Sequence, residues 1–575
     1  MKGLLKYLDK YKTESILGPL FKMLEATFEL FIPLVVAKMI DVGIKNQDGG
    51  YILKMGGLLV LLGVVGLAAS LTAQYFSAKA AVGFSTALRN DLFAHINSLS
   101  YSEIDRLGTS TLITRMTSDI NQVQTGLNLF LRLFLRSPFI VFGAMIMAFT
   151  VDVKSAVTFV VVIPVLSVVV FGIMLISMPL YKKVQRQLDQ VLLTTKENLE
   201  GVRVIRAFNR QKDEIKKFDG ENDLLVRLQV FVGKISALMN PLTYVIINGA
   251  ILVLIWVAGN QVYSGAITQG ETVALWNYMS QILVELIKLA NLIINISKAL
   301  ACANRVQKVF EEKSSITDGT KEGQAARDKN KVVFDKIRFF YGGSKEPSLD
   351  NISLSVEKGQ TVGIIGGTGS GKSSLVNLIP RFYDVQDGAV LVDGKNVKDY
   401  SLKELRDKIG VVPQRSVLFA GSLRDNMKWG RMDADDEEIY KALDMAQARE
   451  FVESKGRGLD FMIAQEGKNL SGGQKQRLAI ARALVRSPEI LIMDDSASAL
   501  DFATDARLRK AIKEGTKDMT VFIVSQRAAT IRNADVIVVL DDGQMAGCGT
   551  HKELLESCEV YKEICLSQLS KEEVQ

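Results

Sequence analysis

The alternation of apolar and polar positions divides the 575-residue chain into two unlike parts that meet near residue 325. In the first part, residues 55–78, 155–181 and 235–270 carry no charged side chain. Each run is at or beyond the roughly 20 residues with which a helix crosses a bilayer. Three further runs are apolar but interrupted: 16–40 by Lys22, Glu25, Glu29 and Lys38, 127–151 by Arg132 and Arg136, and 272–300 by Glu285, Lys288 and Lys298. An even number of crossings keeps the flanking segments on one side of the membrane, so all six runs are expected to span. Stretches 79–124 and 182–234 are rich in helix formers with charges paired four apart, a pattern that continues helices beyond the bilayer. After the polar residues 311–331 the pattern becomes that of a soluble α/β domain. The expected organisation is an α-helical transmembrane domain over 1–310, a linker over 311–331 and an α/β domain over 332–575.

Composition and charge narrow the setting. With 48% hydrophobic and 23% charged residues, a disordered, collagenous or coiled-coil chain is excluded. The net charge of +7 points to anionic membrane lipid as a partner, with no nucleic acid expected, because of where the basic residues lie. Lys182, Lys183, Arg186, Lys196, Arg203, Arg206 and Arg210 follow one span, against only Lys45, Lys54 and Lys154 in the loops assigned to the outside. Both termini are therefore expected in the cytoplasm. The opening MKGLLKYLDKYK is a basic amphipathic run expected to lie on the inner membrane surface. Four cysteines, Cys302, Cys548, Cys558 and Cys565, show no metal-like spacing, so neither a disulfide framework nor a zinc site is supported.

The chemistry lies in the second part. TVGIIGGTGSGKSSLVNLI joins an apolar strand, a glycine-rich turn and an amphipathic helix. Gly366, Gly367, Thr368, Gly369, Ser370, Gly371, Lys372 and Ser373, followed by Ser374, fit the P-loop pattern. Its glycines let backbone N–H groups converge on ATP phosphates, Lys372 reaches the terminal phosphates, and the Ser373 hydroxyl ligates Mg²⁺. EILIMDD reads as a buried strand ending in Asp494, a second Mg²⁺ holder. Between them, LSGGQ places Ser471, Gly472, Gly473 and Gln474 at the start of another helix, where N–H groups are free for phosphate. One nucleotide cannot readily use both helix ends, so two such domains arranged head to tail would complete each other's sites.

In this order behind six spans, the P-loop, LSGGQ and the strand-borne Asp494 resemble a half-transporter of the ATP-binding cassette (ABC) exporter family over essentially the whole chain. The resemblance implies the exporter-type helical domain fused to a P-loop nucleotide-binding domain with a helical subdomain. It also implies an ATPase coupled to transport, a multi-pass location in a bacterial cytoplasmic (inner) membrane, and a second half-transporter as partner. Tyr341 is similar to the aromatic that stacks on adenine, and Gln414 in VVPQ to the residue that links γ-phosphate and Mg²⁺ to the membrane domain. Ser498-Ala499-Leu500-Asp501 resembles the loop crossing the dimer interface. Gly108, Arg115 and Asp119, and the stretch ENLEGVRVIRAFNRQ, resemble the segments that dock on nucleotide domains.

Two positions depart from the family. Asp495 stands where a catalytic glutamate polarises water, and Gln526 in VFIVSQR stands where a histidine meets the γ-phosphate. In this the chain resembles the degenerate-site subunit of bacterial heterodimeric multidrug exporters, which binds ATP, hydrolyses it poorly and lends its LSGGQ to the partner's site. Alternatives are an active homodimer, a lipid flippase, or a gated channel or sensor. The resemblance implies an amphipathic small molecule, drug or lipid-like, as cargo. Glu25 and Glu29 share one face of the first span and either meet such a substrate or face neighbouring polar groups, Lys22 or cavity water. Asp41 follows them toward the outside, Arg132 and Arg136 are expected to snorkel to the inner headgroups, and Glu285 with Lys288 forms a structural pair.

Overall fold

The computed structural model describes residues 2–319, 329–496, 500–516 and 518–568. Its contacts divide the chain into two units, Met1–Asn97 with Ser110–Glu312, and Ser98–Thr109 with Lys313–Gln575. Residues 320–328, part of the stretch expected as a linker, lie outside the described residues.

The first unit is helical. Among the described residues five helices are long and apolar enough to cross a membrane: Gly49–Ser98, Thr109–Val151, Val153–Glu200, Gln211–Tyr263 and Gln269–Glu311. The 50 residues of Gly49–Ser98 extend about 75 Å at 1.5 Å per residue, well over twice a hydrocarbon core of about 30 Å. The helix Lys12–Lys38 covers most of the first expected span, but its charges keep it outside that set of five. The amino-terminal run forms a 3₁₀ helix, Lys2–Tyr11. Leu4 and Tyr7 are buried, and the Tyr7 ring meets Phe84 edge-on at 6.1 Å. Its apolar side is thus covered by protein.

The charges inside the spans explain each other. Arg136 does not snorkel: it is buried, with one guanidinium nitrogen 2.7 Å from Glu285 and another 2.7 Å from Glu29. Ser137 Oγ donates to the second Glu285 oxygen at 2.8 Å, and Lys288 reaches Glu285 from a half-exposed position at 2.8 Å. Arg side chains are long enough to snorkel, but Arg136 is held instead by two carboxylates from other helices. Glu25 pairs with Lys22, whose ammonium also donates to Ser70. Both Glu25 and Glu29 are therefore engaged inside the unit.

Asp41 has a local role. It accepts from the Thr268 hydroxyl and from Gly270 N at 2.8 Å, capping the helix Gln269–Glu311. A Cβ on Gly270 would lie 2.2 Å from the Ala37 carbonyl oxygen, so only glycine allows this approach.

Among the described residues the second unit has two large sheets and a small antiparallel pairing of Gly421–Ser422 with Met462–Ile463. A four-stranded antiparallel sheet runs in the spatial order Leu349–Glu357, Asn330–Phe339, Asp387–Val392, Lys395–Asn396. A six-stranded sheet runs Gln544–Gly549, Val536–Asp541, Thr361–Gly366, Thr520–Val524, Ile490–Asp494, Ile409–Val412. All its pairs are parallel except the first. One buried apolar cluster, including Val362, Ile364, Ile492 and Phe522, lies between the sheets. A second, including Leu443, Leu478 and Leu484, gathers the helices that carry LSGGQ.

Replacing Arg136 by alanine leaves buried Glu285 with only the half-exposed Lys288 as cation and Glu29 without its partner, and the expected loss of stability is about 3 kcal/mol. Lys288→Ala removes only the half-exposed partner and is expected to cost less than about 1 kcal/mol. Thermal unfolding in lipid nanodiscs, followed by tryptophan fluorescence, measures both.

Candidate nucleotide site

The strand Thr361–Gly366 pairs with Thr520–Val524, which in turn pairs with Ile490–Asp494, all parallel, with Val524 opposite both Ile364 and Asp494. Three strand ends therefore reach the same edge of the sheet, and the loops that leave them form one cleft of about 490 Å³. Tyr341, Thr368, Gly369, Gly371, Lys372, Ser373, Ser374, Gln414, Asp494, Asp495 and Gln526 all line it. Gly366 sits just beneath, where a Cβ would lie 2.0 Å from the Leu540 carbonyl oxygen. Gly371 has φ +91° and opens the helix Lys372–Asn377, a backbone conformation that a side chain would strain. Ser370 is buried beneath the loop, and Gly367 contributes a carbonyl to it.

Lys372 folds back onto that loop, its ammonium donating to the carbonyls of Gly366 at 3.0 Å and Gly367, and to Ser370 Oγ at 3.3 Å. Burial depresses its pKa, and the carboxylates of Asp495 and Asp494 oppose the shift. Burial pushes the Asp494 carboxyl up, and the neighbouring charge of Asp495 adds to the effect against the Ser373 hydrogen bond. That bond, Ser373 Oγ to Asp494 Oδ1, is 2.9 Å long. A hydroxyl and a carboxylate so placed offer hard oxygen donors to one point, and Mg²⁺ needs only one or two protein groups when phosphates supply others. The residues fit MgATP: Ser373 and Asp494 would hold the cation, which would neutralise phosphate charge.

Gln414 Nε2 lies 3.5 Å from Asp495 Oδ2. Asp495 itself has φ +44°, and its amide donates to the Val524 carbonyl at 3.0 Å. Tyr341 is partly exposed, its hydroxyl 3.1 Å from Ser374 Oγ and its ring edge-on to Phe339 and Tyr383. Ser471, Gly472, Gly473 and Gln474 do not line this cleft. They begin the helix Gly472–Val485, where Ser471 and Gln474 cap each other reciprocally and Ser471 and Gly472 are exposed. Of the loop expected at a dimer interface, Ser498 and Ala499 lie outside the described residues; Asp501 caps the next helix through Thr504 N at 2.9 Å.

Sequence reasoning missed the surface next to the cleft. The helix Tyr101–Leu107, ended by Gly108 at φ +77°, belongs with the nucleotide unit. Tyr383 Oη donates to Asp105 at 2.7 Å, the Tyr101 ring lies 4.7 Å from Phe382, and Tyr383 stands edge-on to Tyr341 at 5.2 Å. Burial, and then the Asp105 bond, push the Tyr383 phenol up. Arg115 and Asp119 are separate from this contact: Arg115 at 2.8 Å and Arg305 hold Asp119 within the helical unit. The resemblance had marked the segment around Gly108 as one that docks on a nucleotide domain, but its aromatic partners Phe382 and Tyr383, shortly after the P-loop helix, were not singled out.

A P-loop cleft on a parallel sheet, in a chain with five membrane-length helices, defines a membrane-embedded nucleotide-binding ATPase. Residues 15–286 match the family described as ABC transporter transmembrane region, and residues 349–498 match the family described as ABC transporter. The chain is 35% identical over 573 residues to the uncharacterized ABC transporter ATP-binding protein YfiB of Bacillus subtilis, covering 100% of this chain and 99% of that one. It is 29% identical over 562 residues to the ATP-dependent lipid A-core flippase of Yersinia pestis, covering 97% and 96%. A solved bacterial Atm1-family ABC exporter with ATP bound shares the fold, with TM-score 0.80, 23% identity and coverage of 97% and 100%. The chain belongs to the ABC transporters: it is a multi-pass membrane protein with the exporter fold, an ATPase coupled to transport.

Ser373→Ala removes one of two cation donors, and the Mg²⁺ concentration for half-maximal ATP binding is expected to rise about tenfold, the worth of one charge-assisted contact. Binding of ATP without Mg²⁺ should be unchanged, and titration with a fluorescent ATP analogue reads both. Tyr383→Phe should leave nucleotide affinity within about twofold, since its hydroxyl bonds Asp105 rather than the cleft, while lowering transport in sealed vesicles.

Proposed function

We propose that the chain is one half of a heterodimeric exporter whose own cleft binds MgATP but hydrolyses it slowly, while its LSGGQ helix completes the partner's hydrolytic site. The observation that carries this reading is Asp495. A glutamate at that position would reach roughly 1.5 Å further, one C–C bond. A displacement of about 1 Å can cost on the order of a hundredfold in rate. Gln526 lines the cleft, and facing a γ-phosphate its amide would donate a hydrogen bond but carry no charge. Tyr341 would stack on adenine and Gln414 would sense the γ-phosphate and cation.

Several features support a partner chain. Only 6% of the most apolar window of Gly49–Ser98 is buried, which leaves that helix without cover over most of its surface. The short helix Val202–Ala207 has no buried residue, and Val204 and Phe208 beside it are exposed. On the nucleotide unit, Phe419 and Trp429 stack at 4.6 Å and are also exposed, a surface of matching character for a partner's helix. The exposed Ser471 and Gly472 need a nucleotide held by another chain.

The cargo is an amphipathic small molecule, drug or lipid-like, taken from the cytosolic side or inner leaflet. Support comes from the apolar spans and from the name of the Yersinia relative. Six crossings, including Lys12–Lys38, place both termini in the cytoplasm, and the membrane is the bacterial inner membrane.

Purified alone in nanodiscs, the chain should bind ATP with little turnover. Asp495→Glu with Gln526→His together should raise turnover about a hundredfold, and either alone much less. Brisk turnover of the unaltered chain, abolished by Asp495→Ala, would make it a homodimeric pump instead. In the assembled pair, Lys372→Ala here should slow transport partly, whereas Ser471→Arg should nearly stop hydrolysis; equal losses would overturn the assignment of sites.

A further inference from the structure

The turn that carries Gln526 leaves the strand Thr520–Val524 and enters the helix Ala528–Ile531 within three residues, Ser525 to Arg527. Its backbone groups have specific partners. Ser525 N donates to the Ile364 carbonyl at 3.1 Å, and Arg527 N donates to Ser525 Oγ at 3.0 Å. The start of the following helix lacks a local cap: Arg527 stands at the cap position and makes no side-chain cap bond. A helix start leaves its first N–H groups without an intrahelical partner, and serine, threonine, aspartate or asparagine normally supplies one.

Here the partner comes from 40 residues away. Gln568 Oε1 accepts from Ala528 N at 2.8 Å, and Gln568 Nε2 donates to the Gln526 carbonyl at 2.8 Å. The two partners fix the orientation of the amide, since an N–H only donates and a carbonyl only accepts. Both bonds arise from one planar group, so together they set the position and the tilt of the turn.

The helix that bears Gln568, Glu559–Gln568, is itself firmly held. Tyr561 and Cys565 are fully buried, and the Tyr561 hydroxyl meets His551 Nδ1 at 2.8 Å. Gln568 follows them at helical spacing on the same face. Gln526 and Gln568 are both exposed, so water can replace these bonds at small cost to global stability. What water cannot supply is a fixed direction for the turn.

We propose that Gln568 is a positioning residue, which holds the turn so that the Gln526 side chain faces the γ-phosphate of bound ATP. This rests on reading Gln526 as a γ-phosphate contact. ADP lacks that phosphate, so Gln568 bears on the preference for ATP over ADP and leaves the affinity for ADP alone.

The test uses the full-length chain in nanodiscs, titrated with fluorescent ATP and ADP analogues in the presence of Mg²⁺. Gln568→Ala is expected to weaken ATP binding about fivefold, the worth of one hydrogen bond, with ADP binding within about twofold. Gln568→Glu keeps the size and the acceptor but turns an oxygen toward the Gln526 carbonyl, so it should lose the same preference with unchanged thermal unfolding. Gln526→Ala should do likewise, and the double variant Gln526→Ala with Gln568→Ala should be no worse than either alone, because both act through one contact. Equal weakening of ATP and ADP by Gln568→Ala, or additive losses in the double variant, would make the residue a general support and overturn the proposal. A normal preference in Gln568→Ala beside a reduced one in Gln526→Ala would overturn the brace alone. A normal preference in Gln526→Ala would remove the γ-phosphate reading and the proposal with it.

Discussion

The cleft depends on one register. Val524 lies opposite both Ile364 and Asp494 in parallel pairing, so the strands before the glycine-rich loop, the carboxylate pair and the Gln526 turn end level with each other. A shift of one strand by a single residue would turn its side chains to the other face and carry its tip away. The strands are near-continuous apolar runs buried on both faces, so the register matters here through the level of the strand tips rather than through which face is apolar. The Ser373 to Asp494 hydrogen bond is the local result of that alignment.

A second constraint operates in the helical unit, where charge cannot be left unpaired. Glu29, Arg136 and the Glu285–Lys288 pair come from three distant parts of the sequence, yet the low dielectric obliges them to meet. Such a cluster contributes less to net stability than apolar residues of the same volume could, but it penalises any arrangement of helices that separates its members. The same reasoning applies to Asp41, which serves a helix start rather than a ligand.

Elements with a local cause were legible in the sequence. The glycine-rich loop, the strand ending in Asp494 and the helix start at Ser471 follow from spacing and residue type, and the cleft brings residues of the first two together. Arg136 was misjudged because snorkelling depends only on a residue's own helix, whereas its partners lie 107 and 149 residues away. Tyr383 and Gln568 were not foreseen for the same reason: each acts through a single long-range hydrogen bond that leaves no periodic trace. The first expected span shows the opposite effect, since the charges that build its ion pairs keep the helix Lys12–Lys38 out of the set apolar enough to cross a membrane.

The placement of Tyr101–Leu107 with the nucleotide unit has a consequence for biosynthesis. Asp105 and Tyr383 are separated by 278 residues, so at about 5–20 residues per second the ribosome reaches the tyrosine roughly 15–55 s after the aspartate. During that interval the helices on either side are already being inserted, while this short segment waits without its aromatic cover. The chain therefore cannot mature strictly from its amino end: one early piece is finished only when a late one emerges, and a truncated translation product would leave it permanently incomplete.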